Sequence, residues 1–278
     1  MHDFRTYVAR REAEAARAAI APLKTDWETP PGGAVAIGNA WSRALFDGPF
    51  YLSPAPEELP PTNLVFVQSA DGNTVTNDPS TLGGGEADKH LIYEGLSRVA
   101  ADAVMAGAET IRGGRIVLST WHPELVALRR SLGLPRHPVQ IVATLRGLPF
   151  DGLLFNVPEL RVIILTVGEC SELMITPIAD RPWITTLTMP SADALVFAFR
   201  KLRAMGIRRI SCIGGRTLAR QLIDARLVQD LYLTKGTKAG GEPNTPLYPR
   251  PLDGTLVVRK RGTGVDSGVV FEHTHLRA

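Results

Sequence analysis

The sequence predicts an α/β fold built on a mostly parallel sheet that ends in an antiparallel hairpin. Apolar runs of strand length alternate with amphipathic helical segments after Thr62, nearly to the last residue. Late in the chain a β-branched run ends in Gly214-Gly215, and a helix and a second strand follow, which is the pattern of a parallel crossover. The last two predicted strands, 255–261 and 269–275, have no helix between them, so we expect them to pair at the sheet edge.

The first 61 residues form a separate zone in this prediction. Residues 1–24 are rich in Ala, Arg and Glu, and a partial apolar stripe predicts a helix that covers another surface. The stripe consists of Phe4, Tyr7, Val8, Ile20 and Leu23. The following segment, 25–61, holds many prolines and is predicted to be irregular, with the apolar knot 41–50 inside it. We therefore divide the chain into an extension, 1–61, and a main domain, 62–278.

The main domain is predicted to begin with a strand, a glycine-rich loop and a helix. The expected elements of its first half are strand 63–69, loop 71–85, helix 86–100, strand 103–107, a helix around 123–132, and strands 140–144 and 161–166. The second half is expected to contain strand 183–187, helix 192–205, strand 208–213, helix 217–225 and strand 230–234. Alternation of this kind places helices on the faces of a parallel sheet.

Composition and charge exclude several classes of protein. The 278-residue chain is 44% hydrophobic but has no apolar run that approaches the length of a membrane span, and its first residues lack the apolar core of a signal peptide. We therefore expect a cytoplasmic protein. The net charge of +3 comes from dispersed arginines without interleaved aromatics, which argues against a nucleic-acid partner. Cys170 and Cys212 have no metal-ligand spacing, so no metal is expected.

Several loops with functional residue types follow the predicted strands. Ligands of open α/β sheets bind outside the carboxyl ends of the strands, so these loops should converge on one cleft. Gly214-Gly215 precedes a helix whose first N–H groups would suit a diphosphate, although such a pair is also found in ordinary tight turns. The pattern G-x-G-x-x-G of the Rossmann fold is absent from the sequence.

Four motifs in a fixed order indicate a family. They are SADG at 69–72, ADAVMAGAETI at 101–111, GGRTL at 214–218 and DLYLT at 230–234. Together they resemble the dihydrofolate reductase superfamily and, within it, the reductase domains of riboflavin biosynthesis. The resemblance extends from about residue 62 to 275. It implies a dihydrofolate reductase-like three-layer sandwich and an NADPH-dependent oxidoreductase that reduces a small pyrimidine-type substrate, like 5-amino-6-(5-phosphoribosylamino)uracil reductase.

The resemblance also implies which residues bind the cofactor. The loop after strand 103–107 and the Gly-Gly turn hold the nicotinamide cofactor in the family; they correspond here to Gly107, Thr110, Gly214, Gly215, Arg216, Thr217 and Leu218. Thr144 and Arg146 follow the strand at which dihydrofolate reductases meet the adenosine 2′-phosphate, and an arginine suits a phosphate well. Thr166 ends the next strand at the same edge. These residues favour NADPH over NADH.

Asp71 is the predicted catalytic residue. Reduction of a C=N bond needs an acid or an ordered water near the nitrogen, and Asp71 ends the first strand of the main domain. The Asp-Gly pair is equally typical of a plain turn. Ser69, Asn73 and Glu109 are the predicted substrate contacts, and Glu109 is alternatively a solvated loop residue.

Departures from the family pattern leave the substrate open. Asn73 replaces a lysine of the riboflavin reductases, Ile213 replaces a glutamate, and the deaminase zinc motif is absent from the sequence. A dihydrofolate or other pterin reductase is therefore an alternative, and a non-catalytic nucleotide-binding protein is another. The resemblance further implies a homodimer, in which the apolar residues of the extension would pack across a twofold interface. Alternatively, the extension folds back on its own subunit.

Overall fold

The structure is a computed structural model that describes residues 2–54, 56–112 and 114–277. Over these residues the strands are β1 (Leu23–Glu28), β2 (Val35–Ile37), β3 (Phe50–Leu52), β4 (Thr62–Gln68), β5 (Ala103–Gly107), β6 (Val139–Ala143), β7 (Val162–Val167), β8 (Ile184–Met189), β9 (Ile210–Cys212), β10 (Asp230–Lys235), β11 (Gly254–Gly262) and β12 (Val270–Leu276). The helices are α1 (His2–Arg17), α2 (Ala40–Phe46), α3 (Ser97–Val99), α4 (Ala108–Ile111), α5 (Pro123–Ser131), α6 (Gly168–Ile178), α7 (Leu195–Ala204) and α8 (Arg216–Asp224). A π-helical segment, Ala87–Leu96, leads into α3, and short 3₁₀ turns occur at Pro79–Leu82, Leu153–Phe155 and Gly264–Asp266.

Ten of the described strands form one mixed sheet in the order β1-β11-β12-β10-β4-β9-β5-β6-β7-β8. The strands from β10 through β4 and β9 to β8 are parallel to their neighbours. The β10–β12, β12–β11 and β11–β1 pairs are antiparallel. The predicted sheet and its C-terminal hairpin are therefore confirmed. No helix in the described part of the chain is long and apolar enough to cross a membrane.

The central sheet is buried on both faces. Along β5, Val104 and Ala106 join one hydrophobic core, whereas Ala103 and Met105 join the other, because successive side chains of a strand point to opposite faces. This is the three-layer arrangement that the sequence predicted. It explains why these strands are continuously apolar rather than alternating.

Helix α6 is absent from the sequence prediction. Its sequence hides the usual apolar periodicity, because Leu173 and Ile175 point to solvent and are 75% and 63% exposed, while Cys170 and Met174 are buried. Pro177 near its end further weakens a helical pattern. Tertiary context, and not the local sequence, therefore defines this helix.

The extension is less irregular than predicted. Strand β1 pairs with β11 and forms the edge of the main sheet, and α2 begins at a capping box formed by Asn39 and Ser42. Lys260 on β11 is completely buried beneath this region; its Nζ donates to Thr25 Oγ1 at 2.6 Å and lies 4.5 Å from the Phe46 ring centroid. Residues of the extension thus complete the sheet and its core.

The helix predicted over residues 1–24 ends at Arg17, so Leu23 of the predicted stripe begins β1 instead, but the buried side chains of the stripe pack on their own subunit. Tyr7 meets Trp121 edge to face at a centroid distance of 5.7 Å, and Phe4 lies 5.5 Å from the His137 ring. Phe4 and Tyr7 are 7% and 6% exposed in the single chain, and Leu23 is also buried. The expectation that these side chains pack across a twofold interface is therefore wrong, because they already belong to the core of one subunit.

Candidate active site

A cavity of about 900 Å³ opens at the carboxyl ends of β4, β9 and β10. Its walls are the loop 74–86, the π-helical segment, the turn 213–216 and the loops near Lys238 and Asp266. This is the edge of the sheet at which the sequence predicted a cleft, because the carboxyl ends of parallel strands meet there. Glu109 and Thr110, which follow β5, lie on the same wall.

The Gly214-Gly215 turn brings two backbones together in this cavity. Gly215 has φ +83°, and a Cβ atom there would lie 3.6 Å from the Cα atom of Gly107. A Cβ atom on Gly214 would lie 3.2 Å from the Thr110 side chain. The loops after β5 and β9 therefore lie in close contact, and the positive φ at position 215 favours glycine there.

The same turn leads directly into α8. Gly215 is the N-cap residue of this nine-residue helix, and no described side chain caps the helix. The N–H groups of its first turn therefore remain available to a ligand, and they carry partial positive charge. Arg216 adds a full positive charge on the cavity wall. The arrangement fits the diphosphate of a dinucleotide.

Other predicted cofactor residues differ in their placement. Thr217 is exposed in the first turn of α8, whereas the Leu218 side chain is buried in the core and leaves only its backbone N–H for a ligand. Thr144 closes a turn: its hydroxyl donates to Gly147 O at 2.9 Å and accepts from Arg146 N at 3.3 Å. Thr144, the exposed Arg146 and the buried Thr166 lie outside the wall that described residues form around the large cavity.

The predicted substrate residues at the end of β4 hold their own loop together. Asn73 N donates to Ser69 Oγ at 3.1 Å. The Asn73 amide donates to Gly240 O at 3.1 Å and accepts from Thr245 N at 3.2 Å, so both ends of the buried side chain are used. This explains the departure from lysine: the amide joins two loops, which an ammonium group cannot do because it has no acceptor.

Asp71 does not reach the cavity wall. Its carboxylate is exposed and accepts a hydrogen bond from Gly240 N at 3.2 Å. Asp71 was predicted to be the catalytic acid, but its side chain is exposed and is not among the described residues that line the cavity. Glu109 lies on the cavity rim, where its 81% exposed side chain forms a 2.9 Å ion pair with Arg112.

Five carboxyl groups that the sequence did not single out also line the cavity: Asp78, Glu86, Asp88, Glu94 and Asp266. Two of them lie beside a run of glycines: Asp88, at the start of the π-helical segment, and Asp266, in the last 3₁₀ turn. The glycine run 83–85 makes room for them. A Cβ atom on Gly84 would lie 2.9 Å from Asp88 Oδ2, and one on Gly85 would lie 2.2 Å from Asp266 Oδ1. This run of glycines was the sequence signal that could have revealed them.

Both carboxyl groups bind protons more tightly than usual. Asp88 keeps part of its surface open to the cavity, but protein atoms crowd its carboxyl, and this burial raises its pKa to about 6. The charge of Asp266 adds to the effect, and the nearby Thr234 hydroxyl opposes it. Burial also raises the pKa of Asp266, partly offset by the backbone N–H of Ala87.

A second cavity of about 300 Å³ adjoins the first and shares four lining residues with it: Tyr93, Glu94, Ile116 and Leu118. Four arginines line this second cavity. Arg10 and Arg11 come from helix α1, which forms one side of the cavity, and Arg98 and Arg115 come from the main domain. Arg11 pairs with Glu94, and Arg115 pairs with Asp3. None of these residues was predicted from the sequence to bind a ligand.

Comparison with known proteins assigns the chain to a family. The sequence profile of the RibD C-terminal domain matches residues 61–263. The chain belongs to the RibD C-terminal domain family. This confirms the resemblance noted in the sequence, and with it the assignment to the reductases of riboflavin biosynthesis. A search of curated proteins finds no match.

Solved structures of RibD-like proteins share the fold. A pyrimidine reductase-like protein from Corynebacterium diphtheriae is 21% identical with a TM-score of 0.63, covering 79% of this chain and 92% of that one. The riboflavin biosynthesis reductase Rib7 of Saccharomyces cerevisiae is 19% identical with a TM-score of 0.56, covering 81% and 93%. Acinetobacter baumannii RibD is 16% identical with a TM-score of 0.61, covering 80% of this chain but 59% of its own. The present chain thus spans about three fifths of that RibD.

The match to the RibD C-terminal domain begins at residue 61. The elements of the extension therefore lie outside the matched range; they are α1, β1, β2, α2 and β3. Of these elements, β1 forms the edge of the main sheet, α1 forms part of the second cavity's wall, and β2 pairs with β3 in a separate two-stranded sheet. Among the described residues, no group of three or more His, Cys, Asp or Glu side chains is placed to hold a metal ion.

Proposed function

We propose that the chain is an NADPH-dependent reductase whose substrate is a pyrimidine that carries a phosphorylated sugar. The observation that carries this proposal is the joint presence of the Gly214-Gly215 turn and two carboxyl groups with raised pKa values, Asp88 and Asp266, in one 900 Å³ cavity. Such a cavity is large enough for a dinucleotide's nicotinamide end together with a small substrate. We also propose that residues 1–61 act as an extension of this reductase domain.

The residues that would hold the dinucleotide are those of the two glycine loops. The diphosphate would receive N–H groups from the first turn of α8, and Arg216 would neutralise its charge. Gly107 and Thr110 would contact the nicotinamide side, and Thr144, Arg146 and Thr166 would lie along the path toward the adenosine. When bound, NADPH would supply the hydride to the substrate. The preference for NADPH rests on Arg146, whose exposed guanidinium suits a 2′-phosphate.

The second cavity favours a substrate that carries an anion. Arg98 is 2% exposed, and its Nε has no hydrogen-bond partner among the described residues. Its Nη1 donates to Ser119 O, and its guanidinium lies over the Tyr93 ring at 4.4 Å. A buried guanidinium with an open donor is suited to a phosphate oxygen. The reductase from Thermotoga maritima, which shares the fold, is described as acting on 5-amino-6-(5-phosphoribosylamino)uracil, a substrate with such a phosphate.

A pterin reductase is the second candidate, and Ile213 is the observation that favours it. Ile213 lines the large cavity at the position where riboflavin reductases carry a glutamate, so the wall is apolar there. An apolar wall accepts a flat pterin ring as readily as a pyrimidine. We also keep a homodimer as a proposal based on the family resemblance, which light scattering would measure.

A substrate panel separates the candidates. We expect the protein to oxidise NADPH with the phosphoribosylaminouracil and to show an at least tenfold lower kcat/KM with the dephosphorylated form of that substrate. We expect no oxidation of NADPH with dihydrofolate or dihydropterin. The reason is that only the first substrate offers a phosphate to the arginines. Preference for a pterin would establish the second candidate. NADPH binding without oxidation in any member would indicate a non-catalytic nucleotide-binding protein.

Arg10→Gln tests the second cavity in the same assay. Arg10 lies on the exposed face of α1 at the cavity's mouth, 5.6 Å from the Tyr7 ring centroid. We expect the KM for the phosphorylated substrate to rise about tenfold, which corresponds to about 1.4 kcal/mol, with little change for NADPH. Arg5→Gln, at another exposed position on α1, is the matched control and should behave like the wild type. If the two variants had the same KM for the phosphorylated substrate, the proposal that the second cavity binds the substrate's phosphate would be wrong.

A further inference from the structure

We propose that Asp88 is the catalytic acid that protonates the substrate during reduction, with Asp266 as a positioning residue beside it. The inference rests on the proposed reductase function and adds a residue to it. It replaces Asp71, which the sequence favoured and which the structure places on an exposed loop.

The position of Asp88 supports this role. Its side chain lines the same cavity as Gly214 and Gly215, so a substrate beside a bound nicotinamide would share a space with this carboxyl. The loop glycine Gly84 leaves its Oδ2 uncovered, because a Cβ atom there would lie only 2.9 Å away. Any residue with a side chain at position 84 would close the approach to the carboxyl.

The surroundings keep the carboxyl in its acid form. Burial raises the pKa of Asp88 and outweighs the nearby Thr234 hydroxyl on β10, which lowers it, so the net shift of the pKa is upward. Asp266 approaches from the 264–266 turn and disfavours a second negative charge. The other charged or titratable groups around this part of the cavity are Glu86, Lys89, Tyr93, Glu94, Lys238 and Arg216.

Lys89 offers little compensation to an ionised Asp88. Its Nζ is directed toward α1, where it pairs with Glu14 Oε1 at 2.9 Å. Glu94, further along the same segment, pairs with Arg11 through its Oε1 atom. Asp88 is therefore the carboxyl of the π-helical segment that lacks its own cation among the described ion pairs, and this distinguishes it from the structural carboxylates nearby.

The chemical step balances with this one acid. The hydride adds to the carbon of the substrate C=N bond, and the π electrons move onto the nitrogen. That nitrogen takes the proton from the Asp88 carboxyl as the new N–H bond forms. The hydride would bring two electrons and one proton together from NADPH, Asp88 would supply the second proton, and Asp88 would be left as a carboxylate. Solvent in the open cavity returns the proton before the next turnover.

The pH dependence follows from the acid form. Burial raises the pKa of Asp88 to about 6, so the protonated carboxyl predominates below that pH and declines as the pH rises through it. We expect kcat to fall on the alkaline side with an apparent pKa near 6. Removal of the neighbouring charge by Asp266→Asn should move this limb to lower pH, because the charge of Asp266 raises the pKa of Asp88.

Asp88→Asn and Asp71→Asn form the decisive pair of variants. We expect Asp88→Asn to lower kcat by about 10²–10⁴-fold and to abolish the alkaline limb, with NADPH affinity within about threefold of the wild type. Asp71→Asn should keep wild-type kcat, because only its exposed bond to Gly240 N changes. The inference is overturned if Asp88→Asn keeps full kcat and the alkaline limb of the pH profile. It is also overturned if Asp71→Asn lowers kcat more than Asp88→Asn does.

A measurement on the unliganded protein provides a readout other than turnover. With ¹³C-labelled aspartate carboxyls, NMR should show a signal that titrates near pH 6, disappears in Asp88→Asn and shifts to lower pH in Asp266→Asn. The absence of such a signal overturns the inference even if turnover is normal. A wild-type protein that binds NADPH but reduces no substrate overturns the proposed function and this inference with it, whereas turnover that survives Asp88→Asn overturns this inference alone.

Discussion

A chain that begins at Thr62 should fail to fold into a stable protein. The truncation removes β1, which leaves the long strand β11 as an unpaired edge, and takes several buried aromatic side chains out of the core. These are Phe4, Tyr7, Phe46 and Phe50. Loss of one large core side chain costs about 3–5 kcal/mol, and a domain of this kind has about 5–15 kcal/mol in total. Circular dichroism should therefore show no cooperative thermal transition for the truncated chain.

Single substitutions check this expectation without deleting residues. Phe46→Ala should lower the free energy of unfolding by about 3–5 kcal/mol, because Phe46 is 1% exposed and packs against Phe50 and Phe271. Trp27→Ala, on β1 in the same extension, should change it by less than about 0.5 kcal/mol, because Trp27 is 53% exposed. A cooperative thermal transition of the truncated chain at the same temperature as that of the full-length protein would contradict the claim that the extension is part of the core.

Gly215→Val should abolish high-affinity NADPH binding. Valine is strained at φ +83°, and its branched side chain would extend toward Gly107 from a Cβ position already 3.6 Å from that residue's Cα. It would also occupy the space in which a diphosphate meets the first turn of α8. We expect a loss of affinity of about 100-fold or more, equivalent to roughly 3 kcal/mol, in a fluorescence titration with NADPH.

Gly133→Val is the matched control for backbone strain. Gly133 has φ +73° and no atom within 4 Å of an added Cβ, and it lies after α5, away from the large cavity. Both variants should lose a comparable amount of stability from the unfavourable φ, but only Gly215→Val should lose NADPH affinity. Wild-type affinity in folded Gly215→Val would reject the cofactor site.

Elements with strong local patterns were predictable from the sequence. Strand β5 was predicted with its observed bounds, because a short apolar run between helices has few alternatives. Strand β1 was missed because its partner, β11, lies more than 200 residues later and its own sequence is polar and mostly exposed. Local propensity contains no information on such a pairing.

In the candidate site, too, the features set by local sequence could be predicted, whereas those set by contacts between distant segments could not. Gly107, Gly214 and Gly215 could be predicted as candidates because they are glycines at the ends of strands, and Gly215 has the positive φ that favours glycine. The position of Asp71 depends on the bonds between Asn73 and the distant loop at Gly240, which the sequence does not reveal.

The site's buried carboxyl was missed for a related reason. The sequence pattern predicted a regular α-helix over 86–100, whereas the structure has a π-helical segment with non-helical angles at Gly95. A change from 3.6 residues per turn alters which side chains share a face, so the face that contains Asp88 could not be predicted by counting. π-Helical turns occur frequently at functional sites, in agreement with the role we propose for this segment.

Direct hydride transfer is the measurement that tests the central claim most directly. The chain would be incubated with NADPH deuterated at the transferable position of nicotinamide C4 and with 5-amino-6-(5-phosphoribosylamino)uracil, and the product would be analysed by mass spectrometry. Our account predicts one deuterium on a carbon of the reduced product for each NADPH oxidised, with the label absent when Gly215→Val replaces the wild type. NADPH that binds tightly but remains unoxidised, or a reduced product without deuterium, would contradict it.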